Sequence, residues 1–167
     1  MKKIQDVLGL PVLDTSTGKK LGVVKDVYFN QRGELVGLAV ESPGIFTKRS
    51  YLSFDKVGAI GDDAVTIGTE RFLTSFNQNS YYSFSTGKKA YKEYPIVTTN
   101  GKELGHISDV YFQEELGKIL GYEISDGFLS DVTEGRRTIQ IPKKMVFGED
   151  AIIVPSDEIK EVIFDQE

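Results

Sequence analysis

Two aspartates, Asp26 and Asp109, are the residues of this sequence best placed to do chemistry, because they occupy the same position in two copies of one motif. A pair of carboxylates can act as general acid and general base in catalysis. Each aspartate, however, lies in a separate copy and interrupts a run of β-branched and aromatic residues. We therefore predict a structural role, in which each carboxylate accepts backbone N–H groups at a bulge or turn.

The other residues with reactive or ligand-binding side chains form no complete site in the sequence. His106 is the one histidine and cysteine is absent, which excludes the usual zinc sites and a cysteine nucleophile. A Ser-His-Asp triad would need this histidine, yet no GxSxG motif accompanies it. The repeated glycines match neither phosphate-binding pattern and are expected at turns and bulges; among them are Gly18, Gly22, Gly101 and Gly105. The sequence therefore predicts no catalytic residue, no metal site and no cofactor.

An internal repeat organises the chain. The segment Gly18–Phe29 recurs as Gly101–Phe112, and eight of the twelve aligned positions are identical. Two long copies at this spacing indicate a duplicated domain, because a solenoid normally needs three or more shorter units. We assign a first repeat to residues 1–78, an aromatic-rich linker to 79–93 and a second repeat to 94–167.

The hydrophobic pattern within each copy is that of short β-strands. The run Val23–Phe29 is β-branched and aromatic, and Leu35–Val40 alternates between two faces. Turn signals recur at intervals of about 8–12 residues, which is typical of a small barrel or sandwich. The prediction is an all-β protein of two tandem small barrels, each closing around its own core. A short C-terminal helix is expected over 156–163, where Ser156 can act as its N-cap.

The repeated string resembles the PRC-barrel family. The string is Gly-Lys-x-Leu-Gly-x-x-x-Asp-Val-Tyr-Phe, with Pro-Val or Pro-Ile upstream and Gly-Asp-Asp-Ala-Val or Gly-Glu-Asp-Ala-Ile downstream. That family includes the cytoplasmic domain of the photosynthetic reaction centre H subunit and the C-terminal domain of the ribosome maturation factor RimM. Its members are small β-barrels that hold macromolecules together, so the resemblance implies a non-catalytic adaptor. It does not identify the partner, because a fold does not fix a function.

Two groups of residues are candidate partner-binding surfaces. The linker is too rich in aromatic residues for a disordered spacer, and its Tyr81, Tyr82 and Phe84 either pack between the barrels or bind a partner protein. Basic residues recur at near-equivalent places in the two copies: Lys48, Arg49, Arg136, Arg137, Lys143 and Lys144. They are either solvated loop residues or a docking patch for an anionic partner such as RNA.

The charge distribution and the hydropathy of the chain narrow the possible partners and cellular locations. The net charge of −5 is uneven, because residues 1–78 hold ten Lys/Arg and nine Asp/Glu, whereas 79–167 hold ten and sixteen. An acidic second half counts against general nucleic-acid binding. With no signal peptide and no apolar run of about 18–20 residues, a cytoplasmic protein without a membrane span is expected. The hypotheses are a protein-interaction adaptor, an RNA or ribosome-assembly accessory protein, and a small-ligand carrier or enzyme with a tyrosine-lined pocket. The oligomeric state stays open.

Overall fold

A computed structural model describes residues 1–45, 47–75, 81–87, 89–126, 136–140 and 142–164. In the first repeat the elements are β1 (Lys2–Lys3), α1 (Ile4–Val7), β2 (Pro11–Asp14), β3 (Lys20–Phe29), β4 (Leu35–Glu41), β5 (Arg49–Ser53), β6 (Val57–Ile60), β7 (Val65–Ile67) and β8 (Leu73–Thr74), with single 3₁₀ turns at Phe54–Lys56 and Glu70–Phe72. The linker and second repeat contain β9 (Tyr82–Ser83), β10 (Pro95–Thr98), β11 (Glu103–Gln113), β12 (Lys118–Ser125), β13 (Arg137–Gln140), β14 (Val146–Phe147) and β15 (Ile152–Val154).

The described strands form two sheets with the same topology. One sheet has the order β6-β7-β2-β3-β4-β5-β8, and the other has the order β13-β12-β11-β10-β15-β14. Each sheet contains one parallel pair of strands. This pair is β2 with β7 in the first repeat and β10 with β15 in the second. The all-β fold predicted from the sequence is confirmed, and each sheet curls into a partly closed barrel.

The curl comes from the long strands β3 and β11, whose register shifts at the same two places. In β3 the pairing with β4 shifts between Val24 and Asp26, and in β11 the pairing with β12 shifts between Ile107 and Asp109. A bulge adds one unpaired residue, bends its strand and increases the twist. The aspartates that interrupt the apolar pattern therefore lie at the bends.

Two short strands, β1 at the start of the first repeat and β9 in the linker, pair with the sheet of the opposite repeat. Strand β1 pairs with β11 of the second repeat, with Lys2 opposite Phe112 and Lys3 opposite Tyr111. Strand β9, which precedes the second repeat, pairs with β3 of the first repeat, with Ser83 opposite Tyr28. Each sheet is thus completed by the segment that leads into the other repeat. We call residues 1–7 and 81–91 the lead segments.

Because of this exchange the hydrophobic cores of the two repeats are joined. The buried apolar side chains of both sheets belong to one contiguous cluster, which includes Ile4 and Val7 of α1 and Phe84 and Tyr91 of the second lead segment. All four side chains are at most 1% exposed. The separate cores expected from the sequence are therefore replaced by one shared core.

The prediction of a C-terminal helix over 156–163 is wrong. This segment begins with a turn at Ser156, and Glu161 then forms a bridge with Ile139 of β13. The Gln140 N–H donates to the Lys160 carbonyl at 2.9 Å, and the Val162 N–H donates to the Thr138 carbonyl at 2.9 Å. Backbone partners for the exposed edge of β13 outweigh the weak helical preference of so short a segment.

Candidate functional site

Asp26 binds the second lead segment through its buried carboxylate. The carboxylate is fully buried and accepts the backbone N–H groups of Phe84 at 3.1 Å, Ser85 at 3.0 Å and Thr86 at 2.8 Å. It also accepts the N–H of Val27 at 2.8 Å and the hydroxyl of Thr86. Four of these five donors belong to the second lead segment, so Asp26 holds this segment on β3.

Asp109 does the same for the first lead segment, with fewer donors. Its Oδ1 accepts the N–H of Val110 at 2.8 Å and the N–H of Gln5 at 3.3 Å, while the Gln5 side chain donates to the Ser108 carbonyl at 3.0 Å. Burial, with a smaller contribution from the charge of Glu123, raises the pKa of Asp109 to about 6 against the lowering effect of the hydrogen bonds. These contacts are those expected for the structural role predicted for both aspartates, and the two carboxylates bind different segments.

A buried ion cluster that the sequence analysis missed lies beside Asp109. The Glu123 side chain is 7% exposed and lies 2.8 Å from Lys3 Nζ and 3.1 Å from Arg136 Nη1. Burial alone would raise the pKa of Glu123, but the hydrogen bonds from Lys3 and Arg136 outweigh it and hold the pKa below its usual value. The aligned residue in the first repeat is Ala39, so the repeat pattern carried no signal for this cluster.

The three arginines proposed for an anionic partner are all paired within the protein. Arg49 lies 3.6 Å from Glu41, and Arg136 lies against Glu123. Arg137 lies 2.7 Å from Asp126 and 3.1 Å from Glu161, and donates to the Leu104 carbonyl. The remaining candidates, Lys48, Lys143 and Lys144, have exposed side chains. The structure thus divides the predicted basic patch between the two sheets and neutralises its arginines.

The linker aromatics pack mainly inside the protein. Phe84 is fully buried, whereas Tyr81 and Tyr82 are half-buried. Tyr91 is the centre of an aromatic cluster whose ring centroids lie 5.1–5.9 Å from its own: Phe29, Tyr82, Tyr94 and Phe147. These residues come from both repeats, so the linker fills the space between them. Linker residues 79, 80 and 88 lie outside the described part of the chain.

The motif glycines lie at turns and at close contacts between strands, and the histidine side chain is exposed. Gly18 and Gly101 lie in turns with φ of 70° and 86° and open space around them. Gly22 and Gly105 lie where a Cβ atom would meet a carbonyl oxygen of the next strand, at 2.4 Å and 2.6 Å. The His106 side chain is 44% exposed and lies 3.4 Å from Glu103.

Two cavities open near the junction of the repeats. The larger, of about 750 Å³, lies between the β3–β4 hairpin turn and the β11–β12 hairpin turn, and we call it the hairpin cleft. Its lining includes Leu35, Leu116, Lys118, Lys143 and Phe147. The smaller, of about 430 Å³, is lined by Tyr82, Lys89, Tyr91, Tyr94 and Glu149, and we call it the tyrosine pocket.

Metal-binding clusters and membrane-spanning helices are both absent from the described residues. No group of three or more His, Cys, Asp or Glu side chains is arranged to hold a metal ion in that part of the chain. Across the same residues, every helix is too short or too polar to cross a membrane.

Two curled sheets of one topology, each completed by the other's lead segment, define a duplicated small-β-barrel protein. The chain belongs to the PRC-barrel domain family, whose profile matches residues 1–71 and 90–161. A relative in Bacillus subtilis (strain 168), called "Uncharacterized protein YrrD", is 27% identical over 149 residues, which cover 87% of this chain and 82% of that protein. The family suspected from the repeated motif is thereby confirmed.

Proposed function

We propose that this chain is a non-catalytic adaptor, a cytoplasmic module that holds a partner protein on a platform of two fused barrels. Membership of the PRC-barrel family supports this proposal. The placement of the repeated polar residues supports it too, since Asp26 and Asp109 are occupied in binding the lead segments. Residues that could have formed a catalytic pair serve to hold the two repeats together.

The observation that carries the proposal is the reciprocal exchange of β1 and β9. Two barrels joined by a flexible linker would change their relative position, whereas two barrels that complete each other's sheets have one fixed arrangement. The hairpin cleft, which both repeats line, therefore keeps its shape. A preformed surface loses less conformational entropy on binding, which suits a docking function.

Cross-linking in the native cell tests the adaptor proposal. A tagged full-length chain is cross-linked in living cells, and the recovered proteins are identified by quantitative mass spectrometry against an untagged strain. We expect a reproducible protein partner that also binds the purified chain, and cell fractionation should place the complex in the cytoplasm. Failure to recover any such partner would refute the proposal, and turnover of a small molecule by the purified chain would do so too.

A small-ligand carrier is the second candidate, because the tyrosine pocket is the feature that such a function requires. Lys89 Nζ lies 5.3 Å from the centre of the Tyr82 ring at this pocket. A metabolite screen by thermal shift, compared between the wild type and Tyr82→Ala, tests this function. A ligand that stabilises only the wild type would support it.

The RNA-accessory hypothesis is tested by a titration over a salt series. RNA binding that depends on phosphate contacts falls steeply with salt, and replacing Lys48, Arg49, Arg136 and Arg137 by Ala should abolish it. The ion pairs of the three arginines oppose this function, since each pair would have to break before a phosphate could replace the carboxylate. No binding at low salt would remove the hypothesis.

A further inference from the structure

We propose that the hairpin cleft binds a peptide segment of a partner protein that carries apolar side chains flanked by Asp or Glu. The inference rests on the adaptor function proposed above and specifies its partner. Four features of the cleft favour such a peptide: its fixed walls, its apolar surface, the difference between its two walls and its charge.

Contacts with the opposite repeat fix both walls of the cleft. A Cβ atom at Gly33, in the first hairpin turn, would lie 2.2 Å from the ring of Phe147 in the second repeat. A Cβ atom at Gly117, in the second hairpin turn, would lie 2.8 Å from the ring of Phe54 in the first repeat. Each turn therefore packs closely on an aromatic ring of the other repeat, and the cleft between them is preformed.

The surface of the cleft offers apolar side chains to a ligand. Leu35 and Ile119, which are equivalent in the two repeats, are 7% and 8% exposed, and Met145 and Phe147 are half-buried. Leu116 is 70% exposed. Covering an exposed leucine beside an apolar surface is favourable, so a ligand with apolar side chains gains affinity here.

The two walls are equivalent in fold but differ in sequence. Arg32 and Glu34 of the first turn align with Leu116 and Lys118 of the second. A cleft with two identical walls would suit a symmetric partner, whereas one polar wall and one apolar, basic wall suit a single segment bound in one direction. A peptide has this directionality.

The charge of the cleft favours an acidic peptide. Arg32 Nη2 lies 3.3 Å from Glu34, so these two charges compensate each other. Lys118 and Lys143 are exposed, and no carboxylate of the described residues lies within 4.0 Å of either ammonium group. The Glu158 carboxylate accepts the Lys143 backbone N–H at 2.9 Å and lies outside the lining. The residues that line the cleft therefore have an excess of positive charge on a chain of net charge −5, which attracts carboxylates from solution. An RNA strand would satisfy the lysines but would leave Leu116 without an apolar contact.

A peptide display selection on the full-length protein tests this inference. A random twelve-residue library is panned on the wild type, and enriched peptides are synthesised with a fluorophore for anisotropy titrations. We expect enriched peptides to combine Leu, Phe or Ile with Asp or Glu. Affinity should fall about tenfold with Leu116→Ser, which removes apolar contact. It should fall at least about tenfold with Lys118→Glu/Lys143→Glu at low salt, because the charge of the cleft is reversed.

Matched variants separate the cleft from the rest of the surface. Ile45→Ser changes an apolar residue that is 97% exposed elsewhere, and Lys25→Glu/Lys92→Glu makes the same charge change at exposed lysines away from the cleft lining. Both should bind the peptides as the wild type does. All variants lie at exposed positions, and circular dichroism of each variant is the check that it folds.

Three outcomes would contradict the peptide inference. Enriched peptides that are basic, or that bind the cleft variants unchanged, would overturn it, as would RNA that competes for the cleft with higher affinity than any peptide. If the cross-linked native partner binds the Leu116→Ser variant as tightly as the wild type, the cleft assignment fails while the adaptor function stands. If neither a native partner nor an enriched peptide is found, both proposals fail.

Discussion

Tyr91 buries a hydroxyl group that has no hydrogen-bond partner among the described residues, at the centre of the aromatic cluster between the repeats. A buried, unpaired polar group costs about 1–3 kcal/mol. Tyr91→Phe removes that hydroxyl and keeps the ring, so we expect it to raise the free energy of unfolding by about 1 kcal/mol. Urea unfolding of the full-length chain measures the change.

Tyr94 provides the matched control for this prediction. Its hydroxyl donates to the Gly148 carbonyl at 2.8 Å and contacts the Glu149 carbonyl. Tyr94→Phe removes these hydrogen bonds and should lower the free energy of unfolding by about 1 kcal/mol. Equal effects of the two substitutions would show that the Tyr91 hydroxyl is hydrogen-bonded in solution.

Asp109 makes stability depend on pH in the acidic range. Its pKa of about 6 in the folded protein lies above the usual value of 3.8, because burial disfavours the ionised form. The folded state therefore binds this proton more tightly than the unfolded state does. The corresponding stability is fully present below about pH 4 and is lost as pH rises through 6, by an amount of about 3 kcal/mol from a shift of this size.

Asp109→Asn tests this contribution, because asparagine keeps an acceptor oxygen for the Gln5 and Val110 N–H groups. The free energy of unfolding of the variant, minus that of the wild type, should increase between pH 4 and pH 6.5. The opposite pH dependence that comes from Glu123 is common to both proteins and cancels to first order. A constant difference across this range would contradict the assigned pKa.

At the scale of elements, the hairpin turns test how tightly one repeat packs on the other. Gly33 has φ of 75° and lies against the Phe147 ring, whereas Gly101 has φ of 86° and open space around it. Alanine at Gly101 incurs only the cost of a left-handed backbone, about 1 kcal/mol. Alanine at Gly33 adds a clash with the ring, and its total cost should be larger by about 1–3 kcal/mol. Thermal and urea unfolding of both variants give the comparison, and equal losses would argue against the close packing.

The strands were predictable from the sequence, but their exchange was not. The motif Gly18–Phe29 and its copy marked the long strands, the bulges and the turns, because glycine and β-branched residues have strong local preferences. Lys2–Lys3 and Tyr82–Ser83 share no pattern, and their pairing with β11 and β3 depends on contacts distant in sequence. Local periodicity also favoured a C-terminal helix, although the free edge of β13 determines the conformation of that segment.

The candidate site shows the same division between local and distant information. The sequence singled out Asp26 and Asp109 from their repeat position and predicted a structural role for them, whereas it left the linker aromatics open between packing and partner binding. The hairpin cleft and the Glu123 cluster were not predictable, since each brings together residues of both repeats. Lys3, for example, is 120 positions from Glu123 in the sequence.

At the scale of the whole molecule, the shared core predicts that the two repeats unfold together. Each sheet loses a strand and several core side chains when the other repeat opens, so neither repeat has an independent stability. Differential scanning calorimetry of the full chain should show one transition whose calorimetric and van 't Hoff enthalpies agree. Two separate transitions would show that the lead segments contribute little.

The exchange also constrains how the protein acquires its structure during synthesis. Lys3 is synthesised 108 residues before its pairing partner Tyr111. Domains usually fold in order as the chain emerges, with the N-terminal domain first. Here the sheet of the first repeat is incomplete until Tyr82 and Ser83 have been synthesised. The first residues of that repeat pair only with the second repeat. A nascent chain stalled midway therefore holds two unfinished barrels that chaperones must protect.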